Sequence, residues 1–421
     1  MNLLNMATAK KVKTFLNKFV TQTKRAKTLL GVKVEEKKII HSLQLDDVVV
    51  SAVSKFDSIA NFKEMKINMD EWHNTLGKIS KDDKEIQYLP VQTTAPVLTL
   101  NTKSLTAVID EKQPPVYQWN NICNIYVAMA LVNAISISNV AAGNGKLPVN
   151  SKVYFQIKDG ELKILNTNDV ILHQNVISDI DGDERIFALA NSCISKLKQF
   201  LAYGNGATDV SIAICENMMM FYYKTKEFEA QLITPFEEND DVEKTFRSLE
   251  RIMNTKFYGK PITLDEEDMM ERGFEYKVAW LYRSGKNTVK VHPKMLKAEW
   301  DKFVGTINKQ EAYKNMDKAI ELDYLGLAKA TGKELFIHRI LYQNYISMIQ
   351  TLPYSIYLLS TKADALMFGS NDEMLRFKTL FMLRKPKDEV APLTDDDLNA
   401  MENTKEEISL KEEDDDTFVP T

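Results

Sequence analysis

Apolar residues recur along this chain in two copies of one pattern. Residues 187–235 open with a short apolar strand. A helix is predicted around Ile194–Leu201, and three strands follow, DVSIAIC, MMMFYY and FEAQLIT. Residues 335–386 repeat the order: a strand, a helix around Tyr345–Leu352, then SIYLLS, ALMFG and FKTLFML. Each copy is β-α-β-β-β, and the copies start roughly 150 residues apart. The strands alternate or are wholly apolar, as expected of sheets covered by helices.

Upstream of each copy sits a partner half. A helix is predicted over Tyr126–Ile137. Asn150–Ile177 predicts two strands, including the hairpin VYFQIKDGELKILN, whose Lys158-Asp159-Gly160 is a strong turn signal. Before the second copy, FEYKVAWLYR predicts a strand, and His292–Asn308 a helix with Pro293 near its start. Four half-units in two domains, 116–240 and 241–387, follow. The expected class is α+β, with helices on one face of antiparallel sheets. Residues 1–115 show no third copy by eye, but leave room for a further domain of this kind. They begin with a helical stripe: Val12, Phe15, Leu16, Phe19 and Val20 fall at i, i+3, i+4, i+7 and i+8. The stretch 236–275 is unusually charged and helix-like.

Charge changes this picture. The chain has 421 residues and a formal net charge of -5, which argues against a uniformly basic nucleic-acid coat. That sum hides segregation. Residues 8–40 carry Lys10, Lys11, Lys13, Lys18, Lys24, Arg25, Lys27, Lys33, Lys37 and Lys38 against Glu35 and Glu36. An amphipathic basic helix there can lie on phosphate, on anionic lipid or simply in water. Residues 388–421 are acidic, with Phe418 as their one aromatic, and read as a disordered tail. Two roles stay open for it: a solubility tail, or a peptide, DDDTFVPT, that docks on a partner or shields the protein's own basic surface.

Other chemistries find little footing. Three cysteines, Cys123, Cys193 and Cys215, make neither a disulfide framework nor a CxxC zinc pair, and fit a reduced, cytoplasmic setting. No secretory signal is read at the start. The most apolar stretch, Tyr126–Ala142, is short and interrupted by Asn133 and Asn139, so a buried helix is expected rather than a membrane span. The five histidines, His41, His73, His173, His292 and His338, are scattered, and each is expected to be a satisfied or exposed side chain. Gly143-Asn144-Gly145-Lys146 lacks phosphate-loop spacing, and no GxSxG occurs. In SDIDGDER the glycine falls too early for a calcium loop around Asp179, Asp181, Asp183 and Glu184. No catalytic constellation, metal or cofactor is expected.

The order and spacing of these elements resemble the DNA sliding-clamp family, the bacterial beta clamp and proliferating cell nuclear antigen-like processivity factors. LPVNSKVYFQIKDGELKILNTND is similar to the first half of a clamp domain. SCISKLKQFLAYGNGATDVSIAICENMMMFYYKTKEFEAQLITPFEEND is similar to the second half, and LFMLRKP resembles the closing strand. The resemblance covers about two thirds of the chain. It departs from the family where Pro235 precedes Phe236. Its divergence suggests a phage or viral source, and then host cytoplasm.

The resemblance implies a non-enzymatic ring that encircles duplex DNA without sequence preference and tethers a DNA polymerase, with a clamp loader as a further partner. It implies a homo-oligomer: a trimer if each chain holds two domains, a dimer if it holds three. DNA would meet Lys196 and Lys198 on one helix and Lys294, Lys297, Lys302 and Lys309 on another. For each lysine a solvated surface role stands beside that reading. The family's apolar pocket between domains would draw on Leu172, Pro235, Phe236, Met382 and Leu383, which could equally be strand-end core residues. Two other functions stay open: a single-stranded-DNA-binding or replisome accessory protein with an acidic interaction tail, or a viral structural or assembly protein.

Overall fold

The computed structural model describes residues 3–35, 37–56, 62–80, 82–91, 97–101, 103–109, 118–141, 148–168, 170–204, 209–254, 259–264, 280–284, 287–291, 324–326, 335–359, 364–371 and 375–383. The chain divides into two compact units. The first comprises residues 1–255, 351–353 and 369–378, and the second comprises the remainder.

The N-terminal region carries the repeat twice. The first copy is β1 (Leu3–Asn5), α1 (Met6–Asn17), a short α2 (Gln22–Arg25), β2 (Leu29–Glu35), β3 (Lys38–Leu45) and β4 (Val48–Lys55). The second is β5 (Phe62–Asn68), α3 (Met69–Lys78), β6 (Glu85–Val91), β7 (Val97–Leu100) and β8 (Lys103–Ile109). The third is β9 (Asn120–Ile125), α4 (Ala128–Ala141), β10 (Lys152–Lys158), β11 (Glu161–Asn168) and β12 (Ile171–Ile177). After β13 (Ile180–Gly182) comes the fourth: β14 (Arg185–Ala190), α5 (Asn191–Tyr203), β15 (Val210–Cys215), β16 (Met218–Lys224) and β17 (Glu229–Pro235). Residues 150–177 thus hold three strands where the apolar pattern predicted two. The third, ILHQNVI, carries buried polar residues that disguise it.

Thirteen of these strands form one sheet, in the order β1-β6-β7-β8-β5-β2-β3-β4-β17-β16-β15-β9-β13. Its seam is the antiparallel pair β4–β17, where Val50 faces Leu232 and Val53 faces Glu229. A second sheet runs β14-β10-β11-β12. The predicted hairpin closes it, with Lys158 opposite Glu161. Asp159 (φ 52°) and Gly160 (φ 74°) both take left-handed backbone, which a two-residue turn of this hand requires. Asp46 and Glu216 take the same conformation in the β3–β4 and β15–β16 turns.

Burial explains the helices. The stripe on α1 is buried at Val12, Phe15 and Leu16, and continues into buried Phe19 and Val20. α1 packs on β4 and β6, α3 on β5 and β8, α4 on β11 and β12, and α5 on β10, β14 and β17. The charged stretch after β17 forms α6 (Asp240–Met253), which buries Val242, Phe246, Leu249 and Met253 against β10, β11, β12 and β14. Asn239 caps it, its Oδ1 accepting from the Val242 amide at 3.0 Å, and Asp240, Asp241 and Glu243 complement the dipole of the first turn. Lys163 of β11 is ion-paired with Glu250 of α6. β10 therefore has Val153, Tyr154 and Phe155 all buried, as a strand covered on both faces must. Also within the first unit, Arg376 is ion-paired with Glu161.

In the second unit the described elements begin with β18 (Gly259–Pro261), β19 (Trp280–Ser284), β20 (Asn287–Val291) and β21 (Tyr324–Gly326). A fifth copy of the repeat comprises β22 (Phe336–His338), α7 (Arg339–Ile349), β23 (Ser355–Leu359), β24 (Ala365–Asn371) and β25 (Leu375–Met382), of which residues 369–371 and 375–378 belong to the first unit. Buried Tyr345 of α7 lies edge-on to Phe368 (5.3 Å) and Phe381 (5.2 Å), and its hydroxyl meets that of Thr379 at 2.6 Å. The helix predicted over His292–Asn308 lies outside the described residues, as do residues 274–279 of the predicted strand FEYKVAWLYR and the acidic tail 388–421.

Candidate nucleic-acid interface

Three helices of the N-terminal region gather the basic side chains. Asn5 starts α1, its Oδ1 accepting from the Ala7 amide at 2.8 Å. Phe15 then anchors the helix, with ring centroids 5.1 Å from Tyr203, 5.3 Å from Phe19 and Phe228, and 6.2 Å from Phe200. The Tyr203 hydroxyl donates to the Lys11 carbonyl at 3.1 Å, which ties the end of α5 to α1. With the apolar stripe fixed inward, Lys10, Lys11 and Lys18 are exposed and Lys13 is half-buried.

Asn68 positions the other two helices. Its Oδ1 accepts from the amides of Asp70 (3.0 Å) and Glu71 (3.1 Å) to start α3. Its Nδ2 donates to the Ala26 carbonyl at 2.7 Å, just past α2. This brings the Arg25 guanidinium against His73 of α3, Nη1 to Nε2 at 3.5 Å. Lys13 reaches the same spot from α1: its Nζ lies 3.6 Å from where a Cβ on Gly77 of α3 would stand. Burial, Arg25 and Lys10 push the Lys13 pKa down. Burial, Lys13 and Arg25 do the same to His73, only partly opposed by Asn74 and Asp70. Among the described residues no carboxylate forms an ion pair with Lys10, Lys11, Lys13, Lys18, Lys24, Arg25 or Lys27. A polar groove of about 470 Å³ beside α6 differs in this respect. There Lys158 pairs with Glu184 (3.9 Å) and Arg185 with Glu238 (3.3 Å).

α5, tied to α1 through Tyr203, carries two further lysines. Cys193, Ile194, Leu197, Phe200 and Leu201 are buried, and Lys196 and Lys198 are half-exposed. Lys198 has an interaction partner of its own. α4, packed beside α5, carries no charged residue. Lys294, Lys297, Lys302 and Lys309 lie outside the described residues. The structure therefore brings Lys196 and Lys198 onto one helix. It also places beside α1 a basic group that scattered histidines did not announce: Lys13, Arg25 and His73. The signal available was the pattern NMDEWHNTLGK, a capping Asn68 followed by apolar Met69, Trp72 and Leu76, which marks α3 as an amphipathic helix.

The other two described histidines away from α7 are interior. His41 meets the Tyr88 hydroxyl at 3.1 Å, and burial pushes its pKa down to about 3. His173 lies 2.6 Å from Asn175 Nδ2, and burial holds it at about 3 too. His338 caps α7. Asp179, Asp181, Asp183 and Glu184 flank or lie in β13, which pairs with β9. Among the described residues no three His, Cys, Asp or Glu side chains gather as a metal-ligand set, and no helix is long and apolar enough to cross a membrane.

Of the apolar residues considered for partner binding, Leu172 is half-buried on β12 and Pro235 is exposed at the end of β17. Phe236 is 9% exposed, with its ring edge-on to Phe187 at 6.3 Å. In the second unit Met382 is 40% exposed and Leu383 is half-buried, its amide donating to the Asp364 carbonyl at 3.1 Å.

No protein-family model and no curated protein matches the chain. Solved structures do. The DNA polymerase III subunit beta of Pseudomonas aeruginosa superposes with a TM-score of 0.60 at 12% identity, covering 91% of this chain and 99% of that one. The DNA polymerase sliding clamp of Caulobacter crescentus gives 0.60 at 10% identity over the same shares. The Helicobacter pylori beta clamp bound to a DNA ligase peptide gives 0.55 at 12% identity, again over 91% and 99%. Nearly the whole length of each is matched, including the N-terminal region whose repeat the sequence pattern hid, and the chain has the fold of the bacterial DNA sliding clamps.

Proposed function

We propose that this chain is a DNA sliding clamp: a non-enzymatic ring that encircles duplex DNA and tethers a replicative DNA polymerase. The observation that carries the reading is the group of lysines and Arg25 on α1 and α2, without ion pairs among the described residues, on a fold that sliding clamps match over 91% of the chain. A sliding ring needs Lys and Arg that meet phosphates without reading bases, on a protein whose net charge keeps its outside off DNA. A net charge of -5 with a basic cluster on α1 and α2 meets both needs. Lys196 on α5 extends the track.

Five complete copies of the repeat among the described residues, four before residue 256 and one after residue 335, fit three two-copy domains per chain. Three domains favour a homodimeric ring over a trimer. Docking peptides of a polymerase, or of a ligase as in the Helicobacter pylori clamp, would find surface at Pro235 in the first unit and at Met382 in the second. Phe236 and Leu383 offer less.

The test is topological. The protein should have the solution mass of two chains and, once loaded on nicked circular duplex, stay bound through a salt wash. Linearising the DNA should release it. Retention that is indifferent to linearisation would leave an ordinary DNA-binding protein, and no retention on circles would remove the clamp reading.

A further inference from the structure

The Lys13–Arg25–His73 group is costly as it stands. Two cations and an imidazole converge from α1, α2 and α3; among the described residues no carboxylate pairs with either cation, and Arg25 Nε and His73 Nδ1 are shielded from water without a hydrogen-bond partner. Fold stability gains nothing from such repulsion. Clusters that break the usual pairing rule in this way mark sites where a ligand supplies the missing charge.

We infer that Lys13, Arg25 and His73 form one phosphate site, and that a phosphate enters it together with a proton on His73. The inference rests on the sliding-clamp reading only for the source of the phosphate, the backbone of duplex DNA.

In the empty site the geometry suits a neutral imidazole. An Arg25 N–H donates to His73 Nε2 across 3.5 Å, so the ring proton sits on Nδ1. The charges acting on the ring are Lys13 from α1, Arg25 from α2 and Asp70 from its own helix, and the neighbouring Asn74 Nδ2 donates to Asp70 at 3.0 Å. On the strands that pack against α3, Glu64 of β5 is engaged with Ser42 at 3.5 Å, and Lys103 of β8 donates to the Lys78 carbonyl at 3.0 Å. Lys66 of β5 also has a partner. The two cations therefore dominate. A phosphate oxygen placed between Arg25 and His73 reverses the balance. It neutralises Lys13 and Arg25 and accepts from both neighbours once Nε2 gains a proton from solvent. No bond is made or broken beyond that transfer: site, phosphate and one proton form the complex. Phosphate affinity then rises as pH falls, by up to about tenfold per unit where one whole proton is taken up. DNA grip becomes tighter in acid at this site, beyond the general salt-dependent attraction.

Histidine ring NMR on the full chain tests this, with inorganic phosphate as one probe and nicked circular duplex as the other. The His73 resonance is assigned from its absence in His73→Gln. His41 and His173, buried and neutral, serve as internal references. Either probe should raise the pH at which His73 titrates, chloride at equal ionic strength should not, and Lys13→Gln or Arg25→Gln should shrink the rise. In duplex binding, the pH profile of wild type between pH 8 and 6 should flatten in His73→Gln. A His73 titration that ignores both probes, or a pH profile that survives His73→Gln, overturns the inference. If duplex is retained on circles while His73 is unmoved, the clamp reading stands and the site falls. If inorganic phosphate shifts His73 but circles are never retained, the site stands as a free-phosphate site and the clamp reading falls.

Discussion

α1 and α4 occupy the same place, each following the first strand of a repeat, yet they are built from opposite materials. α1 has two exposed lysines, Lys10 and Lys11, a half-buried Lys13 and an aromatic anchor inside, where Phe15 meets Phe19, Phe200, Tyr203 and Phe228. α4 has no charged residue and is held by buried polar groups. Asn175 Nδ2 donates to the Ala134 carbonyl (3.0 Å) and to Ser138 Oγ (3.1 Å), and Asn166 Nδ2 donates to the Ser138 carbonyl at 2.7 Å. Its exposed side chains include Met129 (47%), and Tyr126 (55%) stands just before it. The same architecture thus tolerates two kinds of anchor and two kinds of outer face. What the fold demands of each helix is a buried attachment to its sheet. The charge outside is left to function.

The comparison can be broken most severely at the aromatic anchor. Phe15→Ala should destabilise the first unit by about 3–5 kcal/mol, because it empties a site lined by four rings. Urea unfolding followed by circular dichroism would measure it, and a loss under 1 kcal/mol would deny Phe15 its anchoring role. On the α4 side, Asn175→Ala strips partners from Ser138, His173 and the Ala134 carbonyl, and should cost about 1–3 kcal/mol in the same assay.

Acid should act next. His173 and His41 have folded pKa values near 3, below the unfolded value of about 6.5. The unfolded chain therefore binds more protons between those limits. Stability is complete above pH 6.5 and falls as pH drops toward 3, by up to about 1.4 kcal/mol per unit for each histidine. Unfolding free energies at pH 7, 6 and 5 would show the slope, and a flat profile would contradict the burial of both rings. The smallest change in stability, within about 0.5 kcal/mol, is expected for Met129→Lys on the outer face of α4. If that face joins the DNA track, the variant should steepen the salt dependence of duplex binding by roughly one phosphate contact. An unchanged salt slope would place α4 off the track.

The same contrast explains what could be read from the chain. α1 was legible because Val12, Phe15, Leu16, Phe19 and Val20 keep helical spacing. The fourth and last copies were legible because their strands are apolar runs between clear turns. β12 was hidden because His173, Gln174 and Asn175 interrupt its apolar pattern, and two of them are fully buried. Burial of such residues is stable only when partners on another element satisfy them, and sequence spacing carries no trace of that. The second copy was hidden for a related reason. β5 (FKEMKIN) is rich in charge, β6 contains Pro90, and α3 buries only Met69, Trp72 and Leu76. At the candidate site the apolar spacing of Ile194, Leu197 and Leu201 put Lys196 and Lys198 on one helix. The meeting of Lys13, Arg25 and His73 had no such signal, because it depends on Asn68 bridging two helices.

The seam between β4 and β17 has a consequence for synthesis. Val53 and its partner Glu229 are separated by roughly 180 residues of chain. At about 5–20 residues per second, the outer edge of β4 waits some 10–35 s on the ribosome before its mate emerges. That edge reads VVVSAVSK, β-branched and nearly uncharged, the composition that recruits stray strands from other nascent chains. Translation speed between codons 55 and 229, rather than the stability of the finished fold, should therefore govern how much of this protein reaches the soluble fraction, and a chaperone that shields nascent strand edges should matter most during that interval.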